Sequence, residues 1–428
     1  MSERADGRLI IIGAGPAGLA LAASHGGPSL IIEQAGEVGG LCRSIEFGGA
    51  LFDIGGHSFH TPHAEVAALV GGLMAENWEE QQRDARIALD GQLIDYPFQD
   101  RVDQIADARI VAECRAGPSG TADRAPDNFG AWIEARFGAG IARHFMRPYN
   151  EKLWARDLRR MSCEWVGERI AGAQPPTAAG RAPLAADSRV GYPAQGGFVE
   201  IFRAMAQRAG PIQFRERVVA IDLAERRVRT ATGRRFAWDH LVSTMPLPAL
   251  LACIADCPSE LVNAASRLEH VSLKVVMIAA DRAPGERPQR LYLPAPGIAA
   301  HKIAFNHRSS AALRRRPREA VMCEVSWSPF KPAPADAELE RTMIDWLATN
   351  RLIAGDRAAI EARTIDVPLA YPVPTAERAA IVATARAWLA GHGIFTIGRF
   401  GGWSYANSDA CIHEALELAD SLQPVLPQ

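Results

Sequence analysis

The sequence predicts an α/β fold, and three stretches carry that prediction. Leu9-Ile10-Ile11-Ile12 is an apolar run of strand type. Gly13-Ala14-Gly15-Pro16-Ala17-Gly18 is a glycine-rich turn. Ser29-Leu30-Ile31-Ile32 is a second apolar run, and it ends in Glu33. Strand, glycine turn, helix, strand and acid in that order describe a Rossmann-like clamp for a dinucleotide. Gly13 permits the tight turn, Gly15 lets a pyrophosphate reach the backbone, and Gly18 lets helix pack on strand. Glu33 stands 20 residues after Gly13, where a carboxylate accepts hydrogen bonds from ribose hydroxyls.

The segment that follows the acid selects the cofactor. Glu33-Gln34-Ala35-Gly36-Glu37-Val38-Gly39-Gly40-Leu41-Cys42-Arg43 places a second glycine pair directly after it. Backbone amides at such a turn can approach the flavin side of a long cofactor, which plain nicotinamide dehydrogenases rarely need. FAD is therefore expected, with Gly40 and Arg43 among its contacts.

Composition narrows the partners. A chain of 428 residues buries a large core and is expected to form two or three lobes. Its net charge of −2 gives no reason to expect nucleic acid or an anionic membrane as partner. No apolar stretch reaches the roughly 18 residues that span a bilayer, and Leu9 to Ile12 is too short for a signal peptide. The seven cysteines are scattered and odd in number, so no closed disulfide framework is expected. Reduced thiols and a cytoplasmic location follow. Cys253 and Cys257 lack a second ligand pair for zinc. His57, His60 and His63 recur every three residues, but Gly55-Gly56 and Pro62 put them in a loop with no carboxylate cluster, so no metal is expected. Arg314-Arg315-Arg316 with Arg318 reads as a solvated loop face.

Along the chain the pattern changes three times. Residues 102–170 read mainly as helix, and 174–188, rich in Pro, Ala and Gly, as an exposed connection. Residues 214–237 alternate as hairpin strands, and 241–246 read as a strand returning to the first lobe. Residues 271–279 and 320–327 are apolar and β-rich, 336–349 helical, 394–398 a strand, and 408–422 a closing helix. The glycine-rich turn before that helix, with Gly398, Arg399 and Asn407, can point amides at the cofactor. The expected domains are a discontinuous FAD-binding domain (1–97, 190–250 and 370–428), a helical domain with a mobile loop (98–189), and a β-sheet substrate domain (251–369).

Several further motifs resemble the UDP-galactopyranose mutases, nearer their eukaryotic-type branch, within the amine oxidase and protoporphyrinogen oxidase-like flavoproteins. Asp53-Ile54-Gly55-Gly56-His57-Ser58-Phe59-His60-Thr61 resembles their flavin-facing segment, and Tyr96-Pro97-Phe98-Gln99 their uracil-binding strand. Asn150-Glu151-Lys152-Leu153-Trp154, followed by residues 161–169, is similar to their sugar-pocket helix and loop arginine. Gly398-Arg399-Phe400-Gly401-Gly402-Trp403-Ser404-Tyr405, then Asn407, looks like their C-terminal flavin and diphosphate motif.

The resemblance implies roles residue by residue. Tyr96, Phe98 and Gln99 would hold uracil, and Asn150 and Trp154 would border the sugar. Arg169 would grip the diphosphate through its planar fork, with Tyr292, Tyr371 and Tyr405 beside it. His57 would abut the flavin, and Arg399 would contact it. One departure stands out. The family's second diphosphate arginine is absent from Ile298-Ala299-Ala300-His301-Lys302-Ile303, where Lys302 is the expected occupant, with Arg308 on the neighbouring turn able to compensate. Lysine brings charge without the fork.

The implied activity interconverts pyranose and furanose forms of a UDP-galactose-like sugar through a reduced-FAD N5 sugar adduct. His57, Arg169 and Lys302 would be catalytic, and NADPH or NADH a one-time reductant. A redox flavoenzyme acting on a nucleotide sugar or a related biosynthetic intermediate is the alternative on the same framework. A homodimer is left open.

Overall fold

The computed structural model describes residues 9–118, 126–166, 170 and 189–422. Five parallel strands form the first layer, in the order Ile394–Thr396, His240–Ser243, Leu9–Ile12, Ser29–Ile32 and Ile212–Gln213. The run at residues 9–12 is apolar throughout because both its faces are covered, as parallel sheets require. Leu9 and Ile11 pack with helices Pro16–Ser24, Glu200–Arg208 and Ser408–Leu422. Ile10 and Ile12 pack on the opposite side with Leu247–Ala252, Ser259–Ala265 and Arg378–Ala390.

The second layer is a seven-stranded sheet. Its order is Glu361–Pro372, His270–Ala280, Glu319–Trp327, Lys302–Phe305, Arg290–Tyr292, Ala85–Leu89 and Gln92–Asp95. Neighbours are antiparallel except Arg290–Tyr292 with Ala85–Leu89, which run parallel. Alternate residues of the strand at 270–280 separate by face. Val276 and Ile278 meet the helix Asp336–Thr349 through Leu339, Met343 and Leu347, one residue per turn. Val275 and Met277 face Phe52 and Ile54, at the end of the hairpin Ser44–Phe47/Ala50–Asp53. That hairpin is the seam between the two sheets.

Helices Ala108–Arg115, Phe129–Ile141 and Arg147–Trp154 make the third lobe, whose core includes Phe129, Ile133, Phe145 and Trp154. The structure differs here from the boundary expected at residue 97. Ala85–Leu89 and Gln92–Asp95 are hydrogen-bonded into the substrate sheet, and Ile87, Leu89 and Ile94 belong to the helical lobe's core. The period-2 pattern of a strand does not say which sheet it joins.

The arginine run also differs from expectation. Arg314 meets Glu79, Arg316 meets Glu46 and Arg318 meets Glu361, so three of the four tie this turn to distant segments. No described helix is long and apolar enough to cross a membrane.

Candidate functional site

The glycine turn has the geometry that its spacing predicts, and each glycine has its own reason. Gly13 sits at φ +105°, and a Cβ there would stand 2.1 Å from Thr244 Oγ1. A Cβ on Gly18 would stand 2.0 Å from the Gly13 carbonyl oxygen, so only glycine lets this helix lie so close to the strand. At Gly15 a Cβ would meet nothing within 4 Å. Gly15 borders a cavity of about 790 Å³, so the space beside it is ligand space.

That cavity is continuous from one lobe to the other. At one end lie Glu33, Glu216 and Val218. In the middle lie Gly15, Gly40, Arg43, Gly398, Arg399 and Asn407. At the far end lie His57, Arg290, Tyr292 and Lys302. A long two-part cofactor fits this shape, and the donors are of the right kind. Glu33 is buried, and its two carboxylate oxygens accept from the Ala14 and Ala35 amides at 2.7 and 2.6 Å. These bonds hold it against the strand end. Gly40, at φ +56°, lies against Gly15, and Gly398, at φ +80°, against Ala17. Arg43 stands 3.7 Å from Glu37. Arg399 donates to the Ala406 and Ala370 carbonyls at 2.8 and 2.9 Å and lies over the Tyr371 ring. It joins the closing segment to the substrate sheet at the cavity wall.

The far end is a row across the substrate sheet. Tyr292 opposes Lys302 across one strand pair, and Lys302 opposes Glu324 across the next. Lys302 Nζ lies 2.8 Å from Glu324 Oε1, which also accepts from the Gly56 amide at 2.9 Å. Glu324 is buried, and its other oxygen accepts from the Tyr371 hydroxyl at 3.4 Å. Lys302 thus reaches the cavity, but a carboxylate partly offsets its charge.

Two arginines missed in the sequence complete this end. Arg290 donates from Nη1 to Ser58 Oγ at 3.1 Å, and burial holds its guanidinium below its ordinary value. Arg83 donates to the Tyr292 hydroxyl at 3.0 Å and lies 4.8 Å over the Tyr96 ring. Burial pushes the Tyr292 phenol up, but Arg83, Arg290 and Lys302 outweigh it and the net shift is downward. Tyr96 is pushed up to about 12, by burial first and by Tyr292 second. Tyr292 is therefore the polarised phenol of the pair.

His57 is stacked on Phe198 at 4.9 Å, and its Nδ1 has no hydrogen-bond partner among the described residues. Burial first, then Lys302, Arg290 and Arg399, lower its pKa to about 3. It is neutral at any ordinary pH.

Aromatic rings close the rest. Trp154 is fully buried, with Tyr405 and Trp165 each 5.0 Å away, and Tyr371 lies 5.5 Å from Tyr405. The Trp154 indole N–H has no partner among the described residues. On the other side Tyr149, not singled out in the sequence, meets Tyr292 edge-on at 5.5 Å. Asn150 is buried, and its amide donates to the Met146 carbonyl of its own helix at 2.7 Å. Phe98 is fully buried and stacked on Phe145 at 5.0 Å, a packing position in the helical lobe. Gln99 is half-buried and already engaged. Arg169 lies outside the described residues. Arg308 stands 4.0 Å from Asp84 and is not among the cavity's lining residues.

Two of the missed residues left signals. Arg290 and Tyr292 are alternate residues of one strand, so they share a face. Glu324 is an acid inside the apolar run 320–327, and a buried carboxylate needs partners. Arg83 left none, because it precedes its strand and its contacts come from residues 96 and 292.

Comparison with known proteins agrees with this cavity. The profile of the family described as flavin containing amine oxidoreductase matches residues 16–333. Among solved structures, a reduced UDP-galactopyranose mutase is 25% identical, with 97% of this chain and 95% of that chain covered and a TM-score of 0.86. Cyclohexylamine oxidase from Brevibacterium oxydans IH-35A is 16% identical, with 98% and 99% covered and a TM-score of 0.69. A CLA-producing fatty acid isomerase from P. acnes is also 16% identical over 98% and 99%, with a TM-score of 0.66. The last two share the fold. With its glycine clamp and two-lobed cavity, the chain belongs to the flavin containing amine oxidoreductase family and takes FAD as its cofactor.

Proposed function

We propose that this chain is a flavin-dependent mutase that interconverts the pyranose and furanose forms of a UDP-sugar of the UDP-galactose type. The observation that carries this reading is the charge at the far end of the cavity. Three cations, Arg83, Arg290 and Lys302, gather there, with Arg399 next to them toward the middle of the cavity, against two buried carboxylates, Glu324 and Asp53. Asp53 already accepts from Ser44, Tyr192 and the Phe198 amide. Among the described residues the buried Arg290 guanidinium has no carboxylate within ion-pair distance, which favours an anionic ligand, and a nucleotide diphosphate is one. The likeness to the UDP-galactopyranose mutase supports the same choice.

Bound and reduced, FAD supplies the nucleophile toward the anomeric carbon. The chain's own residues do the rest. Arg169, Arg290 and Lys302 hold the diphosphate as it departs, Tyr292 and Tyr405 donate to its oxygens, and Tyr371 does so by turning its hydroxyl away from Glu324. Keeping it in place lets it return to the same carbon. Tyr96 and Gln99 hold the uracil beside Phe98. The Trp154 N–H, without a partner among the described residues, and Asn150 border the sugar. His57, kept neutral by burial, orients against the flavin without adding charge.

An amine oxidase reading meets the same cations. An ammonium about 5 Å from a guanidinium, at an effective dielectric near 20, is repelled by about 3 kcal/mol. The test is anaerobic incubation with UDP-galactose after reduction by dithionite or NADPH, read by chromatography. A furanose isomer with no net reductant consumed is expected. An oxidised product formed with stoichiometric oxygen uptake would replace the mutase reading with a redox one.

A further inference from the structure

Away from the cavity, two helices bring metal-binding side chains together. His63 stands at the N-cap position of Ala64–Met74, with no side-chain capping bond among the described residues, and Glu65 lies in its first turn. His413 and Glu417 lie one turn apart on Ser408–Leu422. The two imidazoles are stacked with centroids 3.7 Å apart. Among the described residues, His63, Glu65 and His413 are the group whose donor atoms all lie within 4.8 Å of one another. No carboxylate was expected beside His63. The structure supplies Glu65 and adds His413 from 350 residues later.

The contacts have a direction. His413 Nδ1 stands 2.6 Å from Glu65 Oε1, and His63 Nδ1 stands 3.7 Å from the same oxygen. Among the described residues His413 Nδ1 is buried and makes no hydrogen bond of regular geometry. His413 Nε2 faces Glu417 Oε1 at 3.4 Å. One nitrogen of His413 thus points into the cluster while the other faces a carboxylate. That is the arrangement in which an outer carboxylate sets the tautomer of a metal-bound histidine.

We propose that His63, Glu65 and His413 form a zinc site, with Glu417 orienting His413 and water completing the coordination at the rim. Two imidazoles and a carboxylate suit zinc, whereas magnesium prefers oxygen alone. With metal–ligand bonds of about 2.0 Å, tetrahedral neighbours stand about 3.3 Å apart, between the 2.6 and 3.7 Å at which His413 Nδ1 and His63 Nδ1 stand from Glu65 Oε1. Coordination requires each ring to turn about χ2 out of the stack. His63 is mostly buried while Glu65 and Glu417 are exposed, so an ion enters from solvent. The site clamps helix 64–74 to the closing helix, whose first residues, Ser408 and Asp409, border the cofactor cavity. It is independent of the sugar reading above.

The experiment uses the flavin-loaded chain, stripped with a chelator and dialysed against zinc or magnesium, with metal counted by plasma emission. One zinc per chain and no magnesium are expected. Cobalt(II) should give the intense visible bands of a four-coordinate centre. His413→Ala and His63→Ala should each weaken zinc binding by about tenfold or more, since even an outer partner of a ligand is worth that much. Flavin content and metal-free melting temperature verify that the variants fold. Zinc should raise the parent's melting temperature and leave that of the double variant unchanged. Failure of the parent to retain zinc, or equal retention by the folded double variant, would overturn the site.

Discussion

At the glycine-turn end of the cavity the ligand space is shaped by backbone. Gly13 and Gly18 hold strand and helix at contact distance, Gly15 leaves a gap, and one side chain, Glu33, is fixed by two amides. At the other end side chains take over: Arg290, Tyr292 and Lys302 line the cavity, and Arg83, Glu324 and Tyr371 hold them or one another from behind. Arg83, Arg290, Tyr292, Lys302, Glu324 and Tyr371 come from five strands or their flanks. The first end is one local motif that any dinucleotide can use. The second is a charge arrangement that selects what reacts. A change at the first end should act on folding or cofactor retention, and a change at the second on substrate.

The largest effect expected separates two glycines three residues apart. Gly18→Ala drives a Cβ into the Gly13 carbonyl and should cost about 3 kcal/mol or more. That is a large share of a stability of about 5–15 kcal/mol. Gly15→Val should leave the apoprotein's melting temperature near the parent's but give colourless protein. Thermal melts of apoprotein with flavin absorbance check both. Full flavin content in Gly15→Val would break the distinction between the glycines.

Next comes the diphosphate. Arg169→Ala and Arg290→Met should each weaken UDP binding by about thirtyfold or more, corresponding to about 2 kcal/mol for one lost buried charge partner. Flavin content should stay high, and titration calorimetry reads the affinity. UDP bound as tightly by both variants as by the parent would move the substrate site elsewhere.

Acid should weaken the folded chain. His307 and His301 are buried neutral, His307 with a pKa lowered to about 3 and His301 well below its ordinary 6.5, chiefly by burial. In the unfolded chain each binds a proton below 6.5, so stability is full above that pH and falls as pH drops. The slope is up to about 1.4 kcal/mol per pH unit for each histidine. Asp53 acts in the opposite sense. Burial raises it from 3.8 to about 6, so between those values the folded carboxyl holds a proton that the unfolded one releases. His57, lowered to about 3 in the same way, adds to the loss, so the net fall from pH 7 to pH 5 should be about 4 kcal/mol, measured by urea unfolding. A flat profile would show that these histidines are solvated.

The smallest effect belongs to Lys302. Glu324 offsets its charge, so Lys302→Ala should cost about 1 kcal/mol in UDP affinity, less than either arginine. Lys302→Arg should restore a forked contact and tighten UDP binding. A loss from Lys302→Ala equal to that from Arg290→Met would show that the lysine carries the diphosphate alone.

Much of this molecule is legible in order along the chain. The clamp from Leu9 to Glu33 is local, since strand, turn and acid follow one another and Gly18 answers to Gly13 five residues before it, although a Cβ on Gly13 itself would be crowded by Thr244, just past the end of the sheet's neighbouring strand. The helices Asp336–Thr349 and Ser408–Leu422 show their bounds for the same reason. Tertiary structure decided what depends on partners far away. The period-2 pattern of residues 85–95 marks strands but not their sheet, because pairing is set by a partner edge 200 residues later. Arg290 and Arg83 become parts of one site only when that edge is paired. Lys302 acquires its offset charge from Glu324 across a strand pair. His63 looks like a loop histidine until the closing helix brings His413 to it. Residues adjacent in sequence must share a backbone path, so their motif can be read directly. Residues adjacent only in space are joined by packing, and their chemistry appears when the chain has folded.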